Sequence, residues 1–337
     1  MKSRLLLLAV ALCVVSVGVA FAEPLMTTDF QGDVSRIVSG DTVQERRIGR
    51  WQDGLEGVFQ GNAQLTGIGS RYTLSRGGEL SVDLFRGTVD VNEEKDASGV
   101  VRRSEVKRGR FVLPDGGYFT GYEITISCGH IAYNLNKMGD LVTPFFKGSL
   151  TYSEARGDGS TTVTTHEKKQ GREIIGDAGV FEGVVVTDMV QNLAGENLPI
   201  NYNIARDGIL NSSTFRGRIQ YTENKTASGS VNSKETMTGR EVAGTGGYFE
   251  GIKTTLMAGN RYTVSKQGKL VTSEFQGTLS YSETGGNGSV LSSREVKNGT
   301  WLVTPSIKLV GEMIVESAGG QTRVIDNRRQ VAAIRVL

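Results

Sequence analysis

Tyr262-Thr263-Val264-Ser265-Lys266-Gln267-Gly268-Lys269-Leu270-Val271, continued by Thr272-Ser273-Glu274-Phe275-Gln276-Gly277-Thr278-Leu279-Ser280-Tyr281, is the stretch whose reading decides the fold. Val271, Phe275, Gly277, Leu279 and Tyr281 share one parity, and Thr272, Glu274, Gln276, Thr278 and Ser280 fill the other. Period two is the mark of a half-buried β-strand. The alternation predicts one long strand from about Leu270 to Glu283, and Gly268 in Lys266-Gln267-Gly268 predicts the tight hairpin before it, where positive φ is needed.

Outward from this stretch, the same grammar recurs along the chain. A Phe-x-Gly stands at Phe30/Gly32, Phe85/Gly87, Phe146/Gly148, Phe215/Gly217 and Phe275/Gly277. A second follows at Phe59/Gly61, Phe119/Gly121, Phe181/Gly183 and Phe249/Gly251, with Leu309/Gly311 in the last copy. Between them lies Glu-x-x-x-Gly-Arg, at Glu45, Glu105, Glu167 and Glu235, with Glu295-x-x-x-Gly-Thr closing the series. Tyr72, Tyr133, Tyr202 and Tyr262 each stand 13 residues before the next Phe. A spacing that constant belongs to a fixed structural element. Self-similarity of this kind outranks local signals in setting the fold, and it predicts five tandem all-β units at about 27–84, 85–145, 146–214, 215–274 and 275–337. Turn clusters such as Arg156-Gly157-Asp158-Gly159-Ser160, Gly285-Gly286-Asn287-Gly288, Gly116-Gly117, Gly246-Gly247 and Asp177-Ala178-Gly179 divide each unit into about four antiparallel strands. The segment Asp188 to Pro199 lengthens the third unit and reads as a surface loop or a single helical turn.

Four strands in each of five units suggest a five-bladed propeller. Blades, however, are covered on both faces, whereas these strands carry Ser, Thr and charge on one. One-sided polarity favours a curled or closed, barrel-like sheet around a single core, with Phe-x-Gly as the bend. Gly268-Lys-Leu-Val271, Phe275-Gln-Gly-Thr-Leu279 and Gly244-Thr-Gly-Gly-Tyr-Phe-Glu-Gly251 resemble the allene oxide cyclase and dirigent type of β-barrel, which carries a glycine-rich run of this form before a strand. The resemblance covers about half of such a domain per unit. It implies a barrel enzyme or a carrier of small hydrophobic ligands.

The N-terminus has Lys2 and Arg4, an apolar run from Leu5 to Val19, and Ala20-Phe21-Ala22 before Glu23. This is the form of a secretory signal peptide, so residues 1–22 are expected to be removed near Ala22 and the protein to be secreted or periplasmic. Of 38 basic and 36 acidic residues the signal takes two basic ones, which leaves the mature chain formally neutral. That balance excludes a basic stripe for nucleic acid. Nothing after the signal has the length of a transmembrane helix. With Cys13 gone, Cys128 is the single cysteine and no intrachain disulfide can form.

Candidate chemistry is sparse. Cys128-Gly129-His130 is a two-ligand fragment without a partner pair, so no metal is predicted. Cys128 as a nucleophile lacks a recurring base, since His130 and His166 are the only histidines. A G-x-S-x-G run is absent from the sequence. Glu45, Glu105, Glu167, Glu235 and Glu295 are the candidate ligand-binding carboxylates: around an axis they would form a ring for cations or a sugar. The plainer reading makes them structural partners of Arg beside a turn. Glu93, Glu154, Glu223 and Glu283 read as strand-end charges that deter edge pairing, and the recurrent Phe and Tyr read as core by parity. No cofactor is predicted. The function these features favour is a structural or binding role without catalysis, with a glycan or envelope component as partner. The alternatives are the cyclase-like barrel and, since an exported chain of many strands meets its minimal description, an outer-membrane barrel.

Overall fold

A computed structural model of the chain describes residues 23–26, 29–53, 57–129, 132–157, 160–176, 179–192, 199–244, 246–304 and 307–332. It divides into two compact bodies, Met1–Thr165 and His166–Leu337. The first holds β1 (Glu23–Met26), β2 (Phe30–Ser39), β3 (Thr42–Asp53), β4 (Gly57–Ile68), β5 (Arg71–Val82), β6 (Phe85–Lys95), β7 (Val101–Val112), β8 (Tyr118–Cys128), β9 (Ala132–Val142) and β10 (Phe146–Arg156). The boundary falls within β11 (Thr162–Ile174). The second body continues with β12 (Val180–Asn192), β13 (Pro199–Asn211), β14 (Phe215–Lys225), β15 (Val231–Ala243), β16 (Gly247–Ala258), β17 (Arg261–Val271), β18 (Phe275–Gly286), β19 (Ser289–Thr304), β20 (Ile307–Ala318), β21 (Gln321–Asp326) and β22 (Arg329–Ala332). No helix among the described residues is long and apolar enough to cross a membrane.

Each body is a meander: β1 to β10 each run antiparallel to the next in the first, and β12 to β21 do so in the second, with β22 returning to pair with β20. The sheet is not closed. The expected barrel closure is therefore missing among the described strands. Pairing also continues without a break from β5 to β6 and from β17 to β18, where a propeller would begin a new blade.

Glycine fixes the register. Gly32 faces Gly49, Gly49 faces Gly61, and Gly61 faces Gly78 across β2 to β5. At the next strand the row steps by two residues, so that Leu80 faces Gly87 and a new row begins. Gly87, Gly109, Gly121 and Gly139 form it. In the second body the same pattern joins Gly217, Gly239, Gly251 and Gly268, and then steps at Leu270 and Gly277. A Cβ on Gly49 would lie 2.2 Å from the Gln31 carbonyl oxygen, far inside contact distance. The row marks close backbone approach, and no side chain fits there.

Beside each glycine row runs an apolar one. Phe30, Trp51 and Phe59 stand in register on β2, β3 and β4, with ring centroids 4.9 and 5.2 Å apart. Phe85, Phe111 and Phe119 repeat the arrangement at 4.6 and 5.5 Å. These are tilted ring contacts of the favoured kind. The Phe59 ring reaches over the row, since its Cζ would touch a Cβ on Gly61 at 2.9 Å and one on Gly78 at 2.8 Å. Phe-x-Gly thus places a ring against bare backbone. The core is distributed: Phe30, Trp51 and Phe59 form one buried cluster, Phe85, Val89 and Val91 a second, Phe119, Leu141 and Leu150 a third, and Phe249, Leu270, Phe275, Leu279 and Trp301 another. The single core expected from one-sided strands is replaced by these local ones. Away from the clusters one parity of strands such as β14 and β18 is exposed and the other only half-buried, whereas β12 and β20 are half-buried on both.

The turns differ from expectation in one place. Lys266, Gln267 and Gly268 lie inside β17, with Gly268 opposite Gly251, and the hairpin before them is Gly259-Asn260, where Gly259 has φ 56°. The run from Leu270 to Glu283 is consequently two strands. Between them Thr272 Oγ1 accepts hydrogen bonds from the backbone N–H of Glu274 and Phe275 at 3.3 and 3.0 Å. Thr143 does the same for Phe145 and Phe146 at 3.3 and 2.9 Å, and Ser212 for Thr214 and Phe215 at 3.3 and 3.0 Å. The constant Tyr-to-Phe spacing encodes one strand plus this turn. The predicted Asn287-Gly288 turn is present, with φ 52° and 78°, as a two-residue hairpin of this type requires. In the long segment after Asp188, residues through Asn192 extend β12, with a bulge at Val190/Gln191, and Pro199 opens β13.

Candidate functional site

The five repeated carboxylates are mid-strand. Glu45 lies on β3 and Glu105 on β7. Three strands lie between these two, so four spacings of roughly 4.8 Å put them about 19 Å apart. Glu167, Glu235 and Glu295 lie on β11, β15 and β19. Their partners are local: four of the five face the cation two residues on, along the same side of the strand. Arg47 Nε is 2.6 Å from Glu45, and the Nζ of Lys107, Lys169 and Lys297 are each 2.8 Å from Glu105, Glu167 and Glu295. Arg103 adds a second contact to Glu105 at 2.7 Å. Burial alone would raise the Glu105 pKa, but the hydrogen bonds and charges of Lys107 and Arg103 outweigh it and hold the carboxyl below its ordinary value. In the fourth copy Met237 replaces the cation, and Glu235 stands opposite Tyr221. The Arg of the motif, expected as partner, points to the other face.

A second carboxylate series is more ordered. Tyr72 donates to Glu93 at 2.6 Å, Tyr202 to Glu223 at 2.7 Å and Tyr262 to Glu283 at 2.7 Å, and Tyr133 donates to Glu154. Each pair is separated by 21 residues and joins the strand that ends one glycine row to the strand that opens the next. Tyr152, Tyr221 and Tyr281 donate to the second oxygen of Glu154, Glu223 and Glu283 from two residues away on the same strand. The carboxylate is clamped between two phenols. Glu93 has Val91 at that place and takes Arg103 instead, at 3.4 Å. Burial, together with the hydrogen bond to the carboxylate, pushes Tyr133, Tyr221 and Tyr281 up to about 12. The bond to Glu93 and then burial do the same for Tyr72. The two phenols beside Glu283 hold its carboxyl low. These glutamates are therefore staples within the sheet, in place of the strand-end deterrents expected. Their valences are used inside the protein.

The concave feature of the first body lies on the opposite, exposed face. Two cross-strand rows over β4 to β8 border a trough of about 600 Å³. One row is Gln64, Ser75, Asn92, Ser104 and Ile126; the other is Thr66, Thr73, Glu94, Arg102 and Cys128. Within a strand the rows are two residues apart, about 6.7 Å, and across strands neighbours are about 4.8 Å apart. The result is a grid of amides and hydroxyls. Cys128 is a free, exposed thiol at its rim.

His130 falls outside the described residues. His166 is far from Cys128 in the chain and pairs through Nδ1 with Asp188 Oδ1 at 2.5 Å on the exposed surface. No group of three metal-ligating side chains occurs among the described residues. Two features escaped the sequence reading. The Tyr/Glu separation of 21 residues is a signal present four times along the chain. The trough had none, because hydroxyls on the outward parity look like any solvated face.

Compared with models of known families, with curated proteins and with solved structures, the chain matches nothing.

Proposed function

We propose that this is an exported β-repeat protein of five tandem four-strand units, with a structural or binding role at the cell envelope and a glycan or envelope polymer as its partner. The carrying observation is the division of labour between the two faces of the strands. One parity is spent on the fold: glycine rows, ring rows, Tyr–Glu clamps and Glu–Lys pairs. The other carries Ser, Thr, Asn, Gln and mixed charge open to solvent, as Gln276, Thr278, Ser280 and Ser282 do along β18, interspersed with exposed aliphatic residues such as Ile126 and Ile252. Repeated polar rows at fixed spacing suit a repeating polar ligand. Neutral overall charge agrees with a partner that is not a polyanion.

The test uses the full chain expressed with residues 1–22. Fractionation with N-terminal sequencing is expected to find protein outside the cytoplasm beginning near Glu23, and an immobilised panel of envelope polysaccharides is expected to retain it. Cytoplasmic retention of an intact N-terminus, or turnover of a small substrate with no polymer bound, overturns the reading.

A further inference from the structure

Resting on that reading, we propose that the trough over β4 to β8 is a binding site for a neutral, polyhydroxylated ligand, a segment of an oligosaccharide. Three observations carry it. First, uncharged polar groups in it have no side-chain partner in the protein. Among the described residues nothing hydrogen-bonds the side-chain amides of Gln64 and Asn92 or the hydroxyls of Thr73, Ser75 and Ser104. In the equivalent rows of the second body two cross-strand contacts are made: Thr284 Oγ1 and Ser292 Oγ are 2.7 Å apart, and Arg294 Nε donates to Glu316 at 3.0 Å.

Second, the charges in and under the trough cancel. Glu94 stands in register with Arg102, whose guanidinium reaches Asp96 at 3.2 Å. Arg103, on the other parity, is held by Glu93 and Glu105 at 3.4 and 2.7 Å. A phosphate- or sulfate-rich ligand would need a cationic excess that these pairs remove. What is left to recognise a ligand is uncharged apart from the Glu94 carboxylate, which is a hydrogen-bond acceptor for hydroxyls. Third, the wall is mixed in character, for Ile126, exposed on the same parity, offers aliphatic surface among the hydroxyls and amides. A sugar presents the same mixture, C–H faces edged by O–H groups, and a concave site with a few convergent polar groups is the usual form of a small-ligand pocket.

Cys128 makes occupancy measurable, because it sits at the rim and is exposed. The full chain is first screened on immobilised neutral hexose and N-acetylhexosamine oligosaccharides, with uronate and sulfated members beside them. The strongest neutral binder is then titrated. The double variant Gln64→Ala/Asn92→Ala is expected to weaken affinity roughly tenfold or more, from the loss of two amide contacts. Its fold is retained, since both residues are on the exposed face. Saturating ligand is expected to slow alkylation of Cys128, read by mass spectrometry of its peptide, by about fivefold or more. Thr263→Ala/Thr284→Ala, at the equivalent rows of the second body, is expected to change neither. If the chain binds a neutral oligosaccharide but the first variant and the thiol are indifferent to it, the site is elsewhere and this proposal falls while the envelope-polymer reading stands. Binding confined to uronate or sulfated members also overturns it. If nothing on the panel binds, both fall.

Discussion

In the first body the position after Gly-Arg carries Trp51 or Phe111, each stacked between two phenylalanines. In the second body the same register position on β15 carries Glu241, flanked by Phe215 and Phe249. Lys266 and Lys253 hold it at 2.9 and 3.5 Å. A ring row and an ion triad thus occupy one place in the same ladder. Side-chain chemistry there is negotiable, whereas the glycine row beside it is identical in both. Backbone approach sets the register, and the neighbouring row only has to fill the space.

The largest effect should therefore be common to both bodies. Gly49→Ala in the first and Gly239→Ala in the second each drive a methyl to 2.2 or 2.3 Å from a carbonyl oxygen on the facing strand. Each should cost more than about 4 kcal/mol, the range reached when backbone must move. Urea unfolding of the full chain would read this. An effect below about 1 kcal/mol at either site would show that the rows are packing choices, and the contrast between the bodies would lose its basis.

The next effect separates them. Phe59 is fully buried at the end of a complete ring row, so Phe59→Ala should cost roughly 3–5 kcal/mol. Glu241→Ala removes one charge and leaves two lysines that can reach solvent, and roughly 1 kcal/mol is expected. Equal losses in thermal unfolding would mean that the triad packs as a core.

Much of this organisation is legible in the chain before any coordinates. Phe-x-Gly, the period of two and the constant step from Tyr262 to Phe275 and its equivalents locate the strands and their order. The position of the hairpin is not legible, for a physical reason. Gly268 was read as a residue needed for positive φ, yet it serves close approach to Gly251, and glycine answers both needs without distinguishing them. Thr272, which does make the turn, looks like any strand threonine. The Glu-x-x-x-Gly-Arg motif showed which carboxylates matter to the repeat but misdirected the partner, because the cation two residues on shares a face and the Arg five residues on does not. Closure left no trace in the residues, since a strand with one wet face is compatible with a barrel or with an open meander.

The triad predicts a pH dependence that the ring row lacks. Burial would raise the Glu241 pKa, but Lys266 and Lys253 overcome it and hold the carboxyl below 4.5. A carboxylate so lowered contributes stability above that pH and loses it as pH falls through the folded value. Glu241→Phe, which restores the ring found in the first body, should leave neutral stability within about 1 kcal/mol and flatten the acid side of the pH–stability curve. A variant as acid-sensitive as the parent would place the dependence at other lowered carboxyls such as Glu105.

The smallest effect tests the staples shared by both bodies. Tyr281 is raised to about 12 by burial and by its hydrogen bond to Glu283. A phenol raised in the folded chain adds its stability fully below the unfolded value of 10.0 and loses it as pH climbs toward the folded one. Alkaline unfolding should accordingly begin between those limits. Tyr281→Phe removes one of two donors to Glu283 on a partly solvated face, so at neutral pH about 1 kcal/mol or less is at stake. Glu93 already has Val91 in place of that phenol and uses Arg103, so Tyr221→Phe and Tyr281→Phe amount to giving Glu223 and Glu283 a single phenol, as Glu93 has. Absorbance titration of the phenols should show the late-titrating class shrink by one with each substitution while the fold persists. A loss of several kcal/mol from either would mean that the second phenol, absent from the Glu93 clamp, is what the second body depends on in place of the arginine.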